Sequence, residues 1–310
     1  MEKKKWIDVH ADDFGVSVHA SADIVECLKG GMLDSISVIP NMSCFSACVR
    51  LYQDHKASFK KEPLICVHLN ILDGKAVSDR EKIPDLVDEE GFFCLTWGRL
   101  FLMNYGGKEK KERIKRQLKT EFEAQIRLVE EAFDLKELRL DSHQHPHMIP
   151  FVFDTLMEIN DQGEKPVRFV RLAKEPLLPF LWQIVLYPTY SPVNLIKNIL
   201  LNFFALQNCK KLEKRGISYE LLWGLLMSGN MDAGRIGELF DHMVRYAGKK
   251  GKMMEILFHP GRMLEEEKGG EYRKKGFLRF YLSADRNVEK KSVKKLFITY
   301  LENSHTYGKI

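Results

Sequence analysis

The chain predicts an α/β protein folded as a distorted (β/α) barrel, TIM-barrel-like, with one helical insertion. Three observations carry this: strand-like apolar runs alternate with helical patterns along the whole length, the polar residues that suit chemistry follow the ends of those runs, and no linker or internal repeat divides the chain. A single domain spanning 1–310 is expected, with the insertion at about 174–215.

The first strand is read over Trp6–His10, followed by a helix over Ala20–Gly30 that stops at the Gly30-Gly31 pair. Ser35–Pro40 reads as the second strand, Ser43–Asp54 as a helix and Leu64–Leu69 as the third strand. Glu109–Phe133 has the apolar spacing of a long helix, and Leu138–Ser142 supplies the fourth strand. Then come a helix over Pro150–Asp161, a strand over Val167–Leu172, a short Leu221–Met227 segment, a helix over Asp232–Lys249, a strand over Met253–Phe258 and a last helix near Val288–Tyr300. Leu72–Gly107 and Lys174–Arg215 break the rhythm, and both are expected over the substrate end of the barrel.

Composition excludes several classes. With 45% hydrophobic and 29% charged residues, disorder, collagen and coiled coil are poor descriptions. A net charge of +5 over 310 residues gives little support to a nucleic-acid partner. The six cysteines include no CxxC pair, as expected of reduced, packed thiols, and Met1 to Lys5 pass into the first strand without a signal-peptide core; cytoplasmic residence is the default expectation. Pro176–Leu206 is apolar but broken by Pro179, Pro188, Pro192 and Lys197, so no spanning segment of roughly 18–20 residues is expected.

Asp12 and Asp13 follow strand one, His68 ends strand three, His143 follows strand four and His259 follows the Met253–Phe258 strand. In a parallel barrel these positions share one rim. Adjacent carboxylates repel, and a bound cation relieves that cost. For both to serve one site, the chain must turn after Ala11, one acid acting as ligand and the other as base. Asp141-Ser142-His143-Gln144-His145-Pro146-His147 places three histidines at alternate positions, the mark of a metal site. One carboxylate and two imidazoles suit a catalytic divalent ion; zinc fits the ligand types, with magnesium, manganese and cobalt also open. His10, His19, His55, His242 and His305 lack such company and are given no catalytic role.

Four stretches together resemble the YdjC-like carbohydrate deacetylases, also called the ChbG/HpnK family: His10-Ala-Asp-Asp-Phe-Gly15, Val67-His68-Leu69-Asn70, Leu140-Asp-Ser-His-Gln-His-Pro-His147 and Glu255-Ile-Leu-Phe-His-Pro-Gly261. The resemblance implies a hydrolase removing the acetyl group from an N-acetylated sugar, on an oligosaccharide or a glycolipid, with one divalent metal ion, magnesium by family. It implies Asp12 as catalytic base, Asp13, His68 and His143 as metal ligands, and a homodimer. His259 matches the late His-Pro motif and is read as general acid, because an expelled amide nitrogen needs a proton. His10 stands where the family commonly has Asn. For the sugar, Phe14, Trp97, Trp182 and Trp223 are candidate stacking residues, Arg171 a hydrogen-bond donor and His145 a supporting contact. The rivals are a metal-dependent phosphoesterase and a non-catalytic sugar-binding protein on the same scaffold.

Overall fold

The computed structural model describes residues 6–301; Met1 to Lys5 and His305 lie outside them. In chain order the elements are β1 (Ile7–Phe14), α1 (Val18–Lys29), β2 (Ser35–Val38), α2 (Phe45–His55), β3 (Leu64–Leu69), α3 (Trp97–Asn104), α4 (Lys108–Phe133), β4 (Leu138–Ser142), α5 (Pro150–Gln162), β5 (Val167–Val170), α6 (Leu178–Trp182), α7 (Pro192–Glu213), β6 (Leu221–Trp223), α8 (Ala233–Lys250), β7 (Met254–Phe258), α9 (Lys275–Tyr281) and α10 (Asp285–Leu296). Seven strands form one sheet in the order β5-β4-β3-β2-β1-β7-β6, and every pairing is parallel. The sheet curls until its edges meet: Phe169 of β5 makes an isolated parallel bridge to Ser218, just ahead of β6. The expected distorted barrel is what the chain builds.

The sequence of β1 explains its two faces. Side chains alternate along a strand, so Ile7, Val9 and Ala11 turn toward the helical layer while Asp8, His10 and Asp12 share the opposite face. All are buried. The barrel lumen is therefore polar: the Ser35 hydroxyl donates to Asp8 Oδ1 at 2.7 Å, His10 meets Ser35 and Ser37 at 2.6 and 2.7 Å, and the Ser37 hydroxyl donates to Asp141 Oδ2 at 2.5 Å. Such a lumen is stable only when its members satisfy one another.

β1 runs four residues beyond its expected end at His10, because Asp12 and Asp13 form a bulge within it. Ala11 pairs with Ile36 and Phe14 with Val38, so two residues of β1 stand opposite the single Ser37. β5 stops at Val170 instead of Leu172, where the chain leaves the sheet. Leu72–Gly107, read as irregular, contains α3, whose start is capped by Thr96 accepting the Arg99 amide at 3.2 Å. α9 was also unread: it is only seven residues long, too short for a periodic signal. The last helix begins at Asp285, three residues before its expected start. The insertion is helical, as expected, and no helix among the described residues is long and apolar enough to cross a membrane.

Candidate metal centre and active site

The bulge solves the problem of the two adjacent carboxylates. Asp13 takes φ +68°, a left-handed conformation that Asp tolerates better than most residues, and both acids thereby reach the same histidine. His68 Nε2 lies 3.8 Å from Asp12 Oδ2 and 3.7 Å from Asp13 Oδ1. Gly15 completes the turn at φ +99°, and a Cβ there would stand 2.4 Å from the Ile39 carbonyl oxygen, so only glycine fits.

Asp13, His68 and His143 present three donor atoms within 4.8 Å of one another, all buried at the C-terminal ends of β1, β3 and β4. Each is oriented from behind. His68 Nδ1 bonds Asp141 Oδ1 at 2.7 Å, which leaves Nε2 facing the two aspartates. His143 Nδ1 is 3.1 Å from Asp13 Oδ1, and its Nε2 meets the Tyr281 hydroxyl at 3.0 Å; that hydroxyl lies 3.3 Å from Asp73 Oδ2. Carboxylate or phenol partners on the far nitrogen are what fix a ligating imidazole in its ring orientation. Arg286 Nη1 donates to Asp13 Oδ2 at 2.8 Å, leaving Oδ1 to the histidines. An Asp oxygen and two oriented imidazole nitrogens at this spacing fit a divalent cation.

Asp12 is held differently. Arg171 grips it through two parallel bonds, Nη1 to Oδ2 and Nη2 to Oδ1, both 2.9 Å, and the same guanidinium reaches Asp141 at 2.8 Å and Glu255 at 2.6 Å. His10 Nε2 adds a contact at 3.1 Å. Burial opposes charge on Asp12, yet Arg171, His68 and His10 together hold its carboxyl well below the usual carboxylate range. Burial likewise opposes charge on Asp13, and Arg286 with His143 outweighs it. His68 shows the converse: burial pulls it down, while Asp141 and Asp12 leave it raised to about 9.

The other expected residues fall as follows. His259 leaves β7 beside the centre; its amide donates to Glu289 Oε2 at 2.5 Å and its ring packs edge-on to Phe280. Its imidazole Nδ1 is buried and lies 3.4 Å from Glu289 Oε2 without hydrogen-bond geometry, and the side chain as a whole is 12% exposed, more open than the ligands. Arg171 lies behind Asp12 with both terminal nitrogens engaged. His145 is buried with Nδ1 unpartnered, on a turn where Gln144 and His145 are both left-handed, at φ +63° and +61°. Trp97 lines a cavity of about 410 Å³ together with Gln144, Lys197 and Phe277, and the Phe277 ring lies 5.2 Å from that of His143. Of the other aromatic candidates, Phe14 and Trp223 are fully buried in the main core and Trp182 packs near His242, so none of the three joins the site.

Sequence reading gave no role to Asp141, Glu255, Arg286, Tyr281 or Asp73. For Asp141 and Glu255 a signal existed: Leu138-Arg-Leu-Asp141 and Met254-Glu-Ile alternate apolar with charged residues in strands that read as buried. Arg286 and Tyr281 come from C-terminal helices that carry no motif.

His147 is locked as a neutral ring. The Arg171 carbonyl only accepts, so Nε2 donates to it at 2.7 Å, and Nδ1 accepts from the Ser142 hydroxyl at 2.5 Å. Burial pushes His147 down to about 4. Its unfolded value is near 6.5, so the unfolded chain binds the extra proton between these limits; the stabilisation is complete above pH ~6.5 and fades on the order of 3 kcal/mol as pH falls toward ~4. Urea unfolding should show the advantage of wild type over His147→Gln shrinking across that window. A pH-independent difference would mean that the ring is not held neutral.

A profile of the YdjC-like protein family matches residues 7–292. The chain belongs to the YdjC-like family. Among curated relatives, a carbohydrate deacetylase of Thermoanaerobacter pseudethanolicus is 30% identical over 56% of this chain and 64% of its own length, and one of Geobacillus stearothermophilus is 29% identical over the same shares. The matches thus span less than two thirds of these bacterial relatives. A carbohydrate deacetylase of Xenopus laevis is 25% identical over 84% of this chain and 83% of its own. A crystallised Enterococcus faecalis V583 protein, provisionally assigned to cellobiose-phosphate cleavage, superposes with a TM-score of 0.60 at 18% identity, covering 94% of this chain and 95% of that one. That likeness shows the fold, and it extends across nearly the whole YdjC-like chain.

Proposed function

We propose that this YdjC-like protein is a divalent-metal-dependent hydrolase that removes the acetyl group from an N-acetylated sugar, releasing acetate and a free amine. The observation that carries the reading is the convergence of Asp13, His68 and His143 beside an ionised Asp12 on one barrel rim. The relatives named carbohydrate deacetylases supply the substrate class.

Asp13, His68 and His143 would hold the cation, magnesium by family resemblance or zinc by ligand type. A divalent ion there polarises a carbonyl and lowers the pKa of water. Asp12 serves as general base; the Arg171 clamp keeps it ionised and fixes its orientation, while the same clamp lowers its basicity, so the water it accepts a proton from would have to be made more acidic by the bound cation. His259 delivers a proton to the departing nitrogen from its open side, while Glu289 fixes its backbone. Trp97 offers an aromatic face to the sugar from the cavity wall, and His145, whose Nδ1 is buried and unpartnered, supports the site without lining that cavity. Arg171 acts on the substrate through Asp12, as a positioning residue. Six unpaired cysteines fit a reducing cytoplasm.

The test is acetate release from N-acetylglucosamine, its oligosaccharides and UDP-N-acetylglucosamine, before and after chelation. Chelated protein should lose at least about a hundredfold in rate and regain it with one equivalent of metal. Release that ignores chelation would refute the metal's role. Two equivalents, together with phosphate-ester cleavage, would favour a phosphoesterase.

A further inference from the structure

α7 is built inside out. Its asparagines point inward: Asn198 Nδ2 donates to Glu175 Oε2 at 2.5 Å, Asn202 Nδ2 to the Glu175 carbonyl at 2.8 Å and Asn208 Nδ2 to the Met148 carbonyl at 2.8 Å. Glu175 is fully buried and also takes the amides of Gly224, Leu225 and Leu226 at 2.6, 3.0 and 2.8 Å. The polar side of the helix is thus spent on anchorage. Facing out are Val193 at 73% exposure, Ile196 at 66%, Ile199 at 54% and Phe203 at 51%, continued by Ile184 at 72% and Val185 at 68% in the preceding turn. From Leu178 to Leu206 the sequence holds one charged residue, Lys197. An apolar face of this kind is the reverse of what water selects, and it marks an interaction surface.

Two features bear on what covers it. The apolar face continues onto α3, which touches α7 through Phe101 and Phe204 and exposes Leu102. Around Leu102 stand Arg99, Lys110 and Lys111, with Lys108 next in the chain; Glu109 is the single acid between Arg99 and Lys111. Arg99, Lys108 and Lys110 make no ion pair among the described residues. The face also runs into the site, since Val193 and Ile196 wall the cavity that holds Trp97 and Phe277.

We propose that this face docks on an anionic lipid bilayer, lying in the headgroup region without crossing it, with the cavity mouth against the membrane. Apolar side chains enter the acyl boundary and the basic rim meets anionic headgroups. A second copy seated on the same face would bring like-charged rims together, whereas an anionic surface complements them.

The full chain should pellet with vesicles of phosphatidylcholine containing a third phosphatidylglycerol, much less with phosphatidylcholine alone, and less as salt rises. Ile199→Glu with Phe203→Glu should lower the partition coefficient about tenfold or more at unchanged melting temperature, both side chains being solvent-facing. Arg99→Glu with Lys110→Glu should remove the preference for the anionic vesicles. No pelleting with either vesicle, or equal pelleting with both, would overturn the proposal. So would a dimer in sedimentation equilibrium that the Ile199→Glu/Phe203→Glu variant splits without any vesicle uptake, because the partner would then be a second copy. Vesicle binding is read without turnover, so its failure is distinguishable from failure of the deacetylase reading.

Discussion

Asp12→Asn should abolish nearly all acetate release, by about 10²–10⁴-fold, while the protein keeps its full complement of metal. Asn preserves the shape of the side chain and one acceptor for Arg171, but it cannot take a proton. The proposed ligand group is Asp13, His68 and His143, which does not include Asp12; a second buried group, Asp12, His68 and Asp141, shares His68 with it, so metal content is the deciding readout. Asp13→Ala should lose both metal and activity, since it removes the oxygen that His143 approaches at 3.1 Å and leaves the buried Arg286 without its carboxylate partner. Metal content by elemental analysis alongside steady-state rates separates the two outcomes. Loss of metal in Asp12→Asn with retention in Asp13→Asn would exchange the roles of the two acids.

Arg171→Met is expected to cost about 3–5 kcal/mol of stability, a large share of the roughly 5–15 kcal/mol typical of a folded domain. The guanidinium is 2% exposed and faces Asp12, Asp141 and Glu255, which are no more exposed than it is. Removing it leaves three buried carboxyl groups with no shared cation, and burial already pushes Glu255 upward from its ordinary value. Urea titration measures the loss, and adding Glu255→Gln to Arg171→Met should recover part of it, since one of the stranded charges is then gone. A variant within about 1 kcal/mol of wild type that instead binds sugar poorly would restore Arg171 to the role of direct sugar donor.

The barrel was legible because parallel strands buried on both sides read as apolar runs between helices, and because β1, β3, β4 and β7 end in residues whose chemistry is distinctive. Asp12, Asp13, His68, His143 and His259 could be placed on one rim from strand ends alone. The polar lumen was harder to see. His10 looked like an isolated histidine in a strand, yet its value lies in Ser35 and Ser37 on the neighbouring strand, whose short polar side chains read as ordinary strand composition. Arg286 and Tyr281 reach Asp13 and His143 from 273 and 138 residues away along the chain, a convergence fixed by the packing of α9 and α10 and by no local pattern. Arg171 was found, but as a donor at a strand end; its three carboxylate partners, which lie on β1, β4 and β7, carry no signal in the local sequence around it.

The bulge in β1 has a further meaning for how this site is encoded. Charge and ligand identity are properties of side chains, but the direction in which Asp12 and Asp13 point is a matter of arithmetic: two residues of β1 against one of β2. Deleting a single residue between Ala11 and Phe14 would restore regular pairing, and a chain that retained one aspartate would have nowhere to place the second on the same side. An insertion would shift Phe14 out of the core and Gly15 away from the one spot where the Ile39 carbonyl permits it. The segment thus behaves as a spacer of fixed count, intolerant of length change in either direction even where it would accept a change of residue.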